Sequence, residues 1–272
     1  MQRQIKRYQT PRRGIQYIVD QQVREELSPF VFFDAGTMLR NDDGMFIGYH
    51  PHSGIGIITY FDGGNLDHGD TGDNDGIIKD GGIQWIRAGG GVWHQEHYRK
   101  KPEETAENWH LSIHQLWMLL PPELEESEVE YQNIQPENVP VVDNVKVIAG
   151  SYQGVTSSLK TPYNMTYLDV KLNKGETFSL PTPEKQTRGF IFPRAEGAKL
   201  YGEDVLPNNL TVLEENEGVI EIIAEQEVRF ILVLAEPFQY PIIPHRSSLH
   251  TNYEAIERSM QRIEQQSTLV KG

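Results

Sequence analysis

The sequence predicts an all-β protein of two barrel-like domains, with a metal site in the first and a short helix at the C-terminal end. Three observations carry this. Short runs of β-branched and aromatic residues alternate with clusters of Gly, Asp and Asn along most of the 272 residues, the pattern of sandwiches and barrels. Two pairs of metal-competent side chains, His50-Pro51-His52 and His94-Gln95-Glu96, have the i, i+2 spacing that puts both members on one face of a strand. A Pro- and Glu-rich stretch from Pro121 to Glu130 divides the chain, and only the part before it holds such pairs on an expected strand.

Taken in order, the first basic cluster (Arg3, Lys6, Arg7, Arg12 and Arg13) reads as a solvated arm or edge strand. Ile55 to Phe61 is a β-branched and aromatic run, followed by turn chemistry at Asp62-Gly63-Gly64-Asn65 and again from Gly69 to Gly76. Gly81-Gly82 precedes the strand Ile83 to Ile86, and Gly89-Gly90-Gly91 precedes Val92-Trp93-His94, as the tight corners of a small barrel require. No Lys-Ser/Thr follows the three glycines, so they are not a phosphate loop. From His110 to Leu119 the residues alternate. If Leu111, Ile113, Gln115, Trp117 and Leu119 face the barrel, Gln115 is the polar one and needs a partner, either a structural group or a water or substrate at the metal.

Glu123, Glu125, Glu126, Glu128 and Glu130 then suggest an exposed connection. Further strands are expected at 144–148, 165–172, 190–192, 210–213, 219–223 and 228–235. Thr251-Asn252-Tyr253-Glu254 fits a capping box, and Tyr253, Ile256, Met260 and Ile263 share one helical face, which reads as packing surface.

Composition excludes several functions. The chain carries 39 acidic against 25 basic side chains, a net charge of −14. Such a surface repels polyanions, so direct nucleic-acid binding is not expected. Mean hydropathy is −0.53, and no run of about eighteen apolar residues offers a membrane span. Met1 to Gln16 lacks the apolar core of a signal peptide. There is no cysteine, which rules out disulfides, thiolate metal sites and cysteine nucleophiles, and makes the cytoplasm the expected location.

Two armed strands facing each other across a small barrel would gather three imidazoles and one carboxylate, a donor set for a first-row transition metal. His68, His97, His110, His114, His245 and His250 lack such company and read as structural. Gln84-Trp85 reads as core packing.

The run from Tyr49 to Glu96 resembles the N-terminal cupin of the pirin family. It has His50-Pro51-His52 with Gly54, Thr59-Tyr60, His68 and Asp70 in a hairpin, Gln84-Trp85, Ala88-Gly89, Gly91 and His94-Gln95-Glu96. Ser28-Pro29-Phe30 with Phe33-Asp34, Gln115-Leu116-Trp117, and Pro241-Ile242-Ile243 with His245 and Thr251-Asn252 extend the likeness over nearly the whole chain. The resemblance implies a bicupin, two jelly-roll β-barrels packed face to face. Residues 1–130 would form the metal-bearing cupin, and 131–272 a second cupin without a metal motif plus the C-terminal helix. The implied ligands are His50, His52, His94 and Glu96, and iron(II) is the family's usual metal. The same donors accept zinc, manganese, nickel, cobalt or copper.

Some bacterial members, and the human one, are similar to quercetin 2,3-dioxygenases. The expected activity is therefore a metal-dependent dioxygenase acting, with dioxygen, on a quercetin-like flavonol or another flat enolisable aromatic. Glu96 would also serve as general base, and Gln115 would support the site from behind the ligands. The alternative is a non-catalytic metal-binding regulatory protein acting through a protein partner, as the animal pirin is regarded. Other cupin chemistry, such as isomerisation or hydrolysis, is a third reading. Ser53, Ile55-Gly56, Asp80-Gly81-Gly82 and Leu119 depart from the family's usual residues. None removes a ligand. They are expected to alter the mouth of the site and the groups behind the ligands.

Overall fold

The computed structural model describes residues 1–103 and 107–270. They form two compact units, each mostly β. One comprises Phe30–Glu137 with Asp20–Glu25 and the segment from Gln239 onward; the other comprises Met1–Val19, Glu26–Pro29 and Asn138–Phe238. The two termini are thus exchanged relative to a simple division near residue 130. Hydrogen bonding explains the exchange at the N-terminus. Strand Ile5–Gln9 pairs antiparallel with Leu210–Leu213 and forms the edge of a seven-stranded sheet.

Of the two readings of the basic cluster, solvated arm or edge strand, the edge strand is the one observed. Lys6 and Arg7 pair with Glu26, and Arg3 is fully buried. The Arg3 guanidinium donates to the carbonyls of Glu214, Gln186 and Thr187, which satisfies a charge that could not otherwise be buried. The rest of this unit follows the expected strands closely, with Met165–Leu172, Leu210–Leu213 and Val228–Ala235 beginning and ending where the pattern placed them.

The other unit is built of nine strands that matter for the site. They are β1 (Phe30–Arg40), β2 (Gly44–His52), β3 (Ile55–Asp62), β4 (Asn65–Asp70), β5 (Asp75–Ile78), β6 (Ile83–Arg87), β7 (Val92–Arg99), β8 (Trp109–Leu119) and β9 (Glu130–Ile134). They make two antiparallel sheets, ordered β9-β6-β3-β8-β1 and β2-β7-β4-β5. Gly54 makes the corner between β2 and β3 with φ of +71°, and a Cβ there would lie 1.9 Å from the Leu249 carbonyl oxygen, so only glycine fits. The expected face of β8 does point inward, since the Leu111 side chain is in the core and Gln115 and Trp117 meet the site described below.

Two expectations in this unit are corrected. The acidic connection is not wholly exposed: Glu125 is 1% accessible. Its carboxylate accepts from Thr251 N at 2.7 Å, Thr251 Oγ1 at 2.6 Å, Asn252 Nδ2 at 3.0 Å and His250 Nδ1 at 3.1 Å. The C-terminal helix, Tyr253–Gln266, is capped by Asn252 rather than Thr251, because the Thr251 hydroxyl is already committed to Glu125. Ile256 and Ile263 are buried as the stripe requires, but Tyr253 is 70% exposed.

Candidate metal centre

β2 and β7 are hydrogen-bonded neighbours in one sheet, not strands opposed across the barrel. His50 faces His94 and His52 faces Val92 in the register. This pairing depends on a bulge. Ile47 faces Glu96, so an unbroken ladder would set Tyr49 opposite His94 and turn both histidines outward. One extra residue between Ile47 and His50 shifts the register and turns His50 and His52 inward.

The three imidazoles converge. Their ring centroids are separated by 5.0 Å (His50–His52), 4.2 Å (His50–His94) and 5.0 Å (His52–His94). One nitrogen from each lies within 4.8 Å of the others. His52 and His94 are buried and His50 is partly exposed, which places the mouth of the site at His50.

Backbone acceptors decide which nitrogens are available. His50 Nδ1 lies 2.9 Å from the Gly48 carbonyl oxygen, and His52 Nδ1 lies 2.8 Å from that of Ser247. A carbonyl only accepts, so each Nδ1 carries the proton and each neutral ring keeps a bare lone pair on Nε2. Neither His94 nitrogen has a protein partner. Burial, then the neighbouring His50, brings His52 down to about 3, and burial with three nearby imidazoles holds His94 well below its ordinary value. All three rings are thus held neutral near pH 7, the form that binds a metal. The donor set fits a single transition-metal ion.

Glu96 sits two residues beyond His94 on the same inner face, fully buried. It is not within the close group of three nitrogens, which is confined to the histidines. Gln115 and Tyr98 bond its carboxyl group, Oε1 is left without a partner, and burial pushes its pKa up to about 7. The partner expected for Gln115 is therefore a protein group. Its Nε2 also lies 3.3 Å from Thr59 Oγ1, and its Oε1 accepts from Trp117 Nε1 at 2.9 Å. The Trp117 ring in turn packs edge-on to His52 at 4.7 Å. Gln115 thereby couples Glu96 to the wall behind His52.

Of two further groups here, sequence reasoning singled out only Gln115 and read His68 as structural. Asp34, Gln115, Thr59, Gln84 and Asn133 occupy one register row across the five-stranded sheet, a polar band along the inner wall. On the other sheet His68 faces Glu96 from β4 and bonds Asp70, with its ring 5.7 Å from that of His94. His68 and Asp70 have the same i, i+2 spacing as the metal pairs, and that spacing was the available signal. Ser53, expected near the mouth, is instead fully buried, with Oγ 2.9 Å from His250 Nε2.

Among known families, the pirin model matches residues 9–118 and the pirin C-terminal cupin domain matches residues 167–265. Human pirin is 30% identical, over 87% of this chain and 81% of its own length. A Pseudomonas aeruginosa protein carrying the provisional name quercetin 2,3-dioxygenase is 25% identical, over 88% of this chain and 86% of its own. The crystal structure of a quercetin 2,3-dioxygenase from Acinetobacter baumannii matches with a TM-score of 0.88 at 21% identity, covering 98% of each chain. That likeness supports the two-cupin fold. With both domain models matched along most of its length, the chain belongs to the pirin family.

Proposed function

We propose that the protein is a metal-dependent dioxygenase that acts on a quercetin-like flavonol or another flat, enolisable, hydroxylated aromatic, with dioxygen as co-substrate. The observation that carries this is the convergence of three neutral imidazoles, two of them, His50 and His52, with tautomers fixed by the carbonyls of Gly48 and Ser247. His50, His52, His94 and Glu96 would hold one divalent ion, iron(II) in this reading. When bound, iron supplies Lewis acidity and a redox partner for dioxygen.

The protein's own part is to orient and to move a proton. Released from the ion, the Glu96 carboxylate would take a proton from a substrate hydroxyl through Oε1, which has no protein partner. Gln115 and Tyr98 would hold that carboxylate in place. Trp117 and Phe32, in contact with centroids 4.3 Å apart and ring planes tilted by 33°, offer an aromatic surface to a flat ring. The name carried by the Pseudomonas relative supports the substrate class. A chain without cysteine suits the cytoplasm, where we place the reaction.

The test is oxygen uptake on adding quercetin to anaerobically iron-loaded protein, beside a His94→Ala variant of equal fold. Uptake by the wild type alone supports the reading. No uptake with iron demonstrably bound overturns it and leaves a metal-dependent binding role as the successor.

A further inference from the structure

The barrel without a metal pair has an opening of its own. Four members of its apolar core, Val145, Tyr152, Leu172 and Phe178, border a cavity of about 440 Å³. Small-molecule sites have this form, an apolar floor with a few polar groups placed by loops on a rigid scaffold. The loops here are the hairpin turns at Asp143-Asn144 and Gln153-Gly154 and the turn Asn173–Glu176.

The floor is aromatic. The Tyr152 and Phe178 rings have centroids 5.9 Å apart and planes 18° from parallel, and Phe230 of the core meets Phe178 edge-on. Gln153 Nε2 donates to the Tyr152 hydroxyl at 3.0 Å. Burial raises the pKa of that hydroxyl, the Gln153 bond opposes this, and the nearby Asp143 carboxylate adds to it. Asp143 therefore stands beside the polar end of the ring.

The rim is acidic and lacks a cation. Asp143 and Glu176 line the cavity, and no Lys or Arg does. Glu176 is held by neutral donors, Asn173 N at 2.7 Å and Asn173 Nδ2 at 3.1 Å. The lysines of the neighbouring strands point elsewhere. Along Val145–Ala149 and Met165–Leu172, Val145, Val147, Val170 and Leu172 alternate into the core. Lys146 and Lys171 thus fall on the opposite face, where they line a separate groove with Asp169 and Arg229. Lys174, in the same turn as Glu176, is exposed and outside the lining.

This separation of charge selects the ligand. An anion is repelled by both carboxylates, and a neutral molecule leaves them uncompensated. A cation with an apolar body meets both parts of the cavity, because aromatic rings also attract positive charge. We propose that this mouth of the second barrel binds a small organic cation, with its apolar body over Tyr152 and Phe178 and its ammonium group at Asp143 and Glu176. The site is separate from the three convergent histidines and does not depend on the reading of the metal centre.

The experiment uses the full-length chain with 15N-labelled amides, titrated at neutral pH and low ionic strength with benzylammonium, benzyl alcohol and benzoate. The three probes share a ring and differ in charge. Benzylammonium should shift the amide resonances of Gln153 and Thr177 and bind at least about fivefold more tightly than benzyl alcohol. Benzoate should leave both resonances unmoved. Added salt should weaken benzylammonium alone. Asp143→Asn keeps a residue type that tolerates the φ of +51° at this turn, and Glu176→Gln keeps an acceptor for Asn173. The double variant should bind benzylammonium and benzyl alcohol within about twofold of each other. Each single variant should lose part of the preference, and they decide the matter if the double variant does not fold. The proposal is overturned if benzylammonium does not move Gln153 and Thr177, if benzyl alcohol or benzoate binds there as tightly, or if the folded variants keep the full preference.

Discussion

The Nδ1–H of His52 is donated to the carbonyl oxygen of Ser247 at 2.8 Å, and the Ser247 hydroxyl donates back to the carbonyl oxygen of Pro51 at 2.5 Å. The strand that carries two of the three convergent histidines is thus clamped by a residue nearly two hundred positions further along the chain. Partners of this kind set ring orientation and tautomer, and their loss costs about 10- to 100-fold in metal affinity. Ser247→Ala removes one of the two bonds and leaves the carbonyl. It should weaken metal binding by about tenfold with little change in fold, read by competition against a coloured chelator. Unchanged affinity would show that the hairpin Ile243–His245 with Ser248–His250 holds the carbonyl unaided.

Glu125 is the second long-range tie. Burial would push its carboxyl pKa up, but bonds from His250 and Thr251 outweigh this and hold it below the ordinary value of 4.5. A carboxylate whose folded pKa is depressed contributes stability above its unfolded value, and that contribution is lost as pH falls through the folded one. Glu125→Ala removes the acceptor from the buried His250 Nδ1, Thr251 N and Thr251 Oγ1 and should cost about 2–4 kcal/mol in urea unfolding at pH 7. The gap between variant and wild type should narrow steadily below about pH 4.5. A gap that is constant with pH would mean that packing, not charge, is what Glu125 contributes.

Asp34 carries the opposite sign. Burial raises its carboxyl pKa from 3.8 to about 6. The folded state therefore binds more protons than the unfolded state between those values, and stability falls as pH rises through that window. Asp34→Asn should remove the slope and stabilise metal-free protein by about 1–3 kcal/mol at pH 7. Thermal melts of both proteins at pH 4 and pH 7 read this directly. Equal destabilisation of the variant at both pH values would refute it.

How much of this was legible in the sequence depends on the range of the interaction. The i, i+2 spacing of His50 with His52 revealed which residues share a face, because strand periodicity is local. It did not reveal that β2 and β7 are neighbours, nor the one-residue bulge before His50, because register is set by pairing between distant segments. Gly56 is a similar case. Nothing local distinguishes it, yet a Cβ there would lie 2.3 Å from the Trp85 ring across the sheet. Glu125 looked exposed because it sits in a run of glutamates, and only its contact with His250 and Thr251 makes it a buried acceptor. The C-terminal helix was found by its periodicity, while the choice of Asn252 over Thr251 as cap followed from a tertiary bond.

The role of Glu96 is open to a direct test, because its pKa is far from those of His52 and His94. In metal-free protein burial pushes Glu96 up to about 7, whereas His52 lies near 3 and His94 well below its ordinary value. A carboxyl group must lose its proton before it binds a metal, so metal and proton compete. If Glu96 is a ligand, metal affinity should rise about tenfold per pH unit below 7 and flatten above it. His52 and His94 are already neutral across that interval and add no slope. In Glu96→Gln the slope should vanish and the affinity at pH 8 should fall well below that of the wild type. Zinc titrations from pH 5.5 to 8 on both proteins provide the measurement. A wild-type affinity that is flat through pH 7, or a slope that survives in Glu96→Gln, would remove Glu96 from the ligand set and leave a three-histidine site.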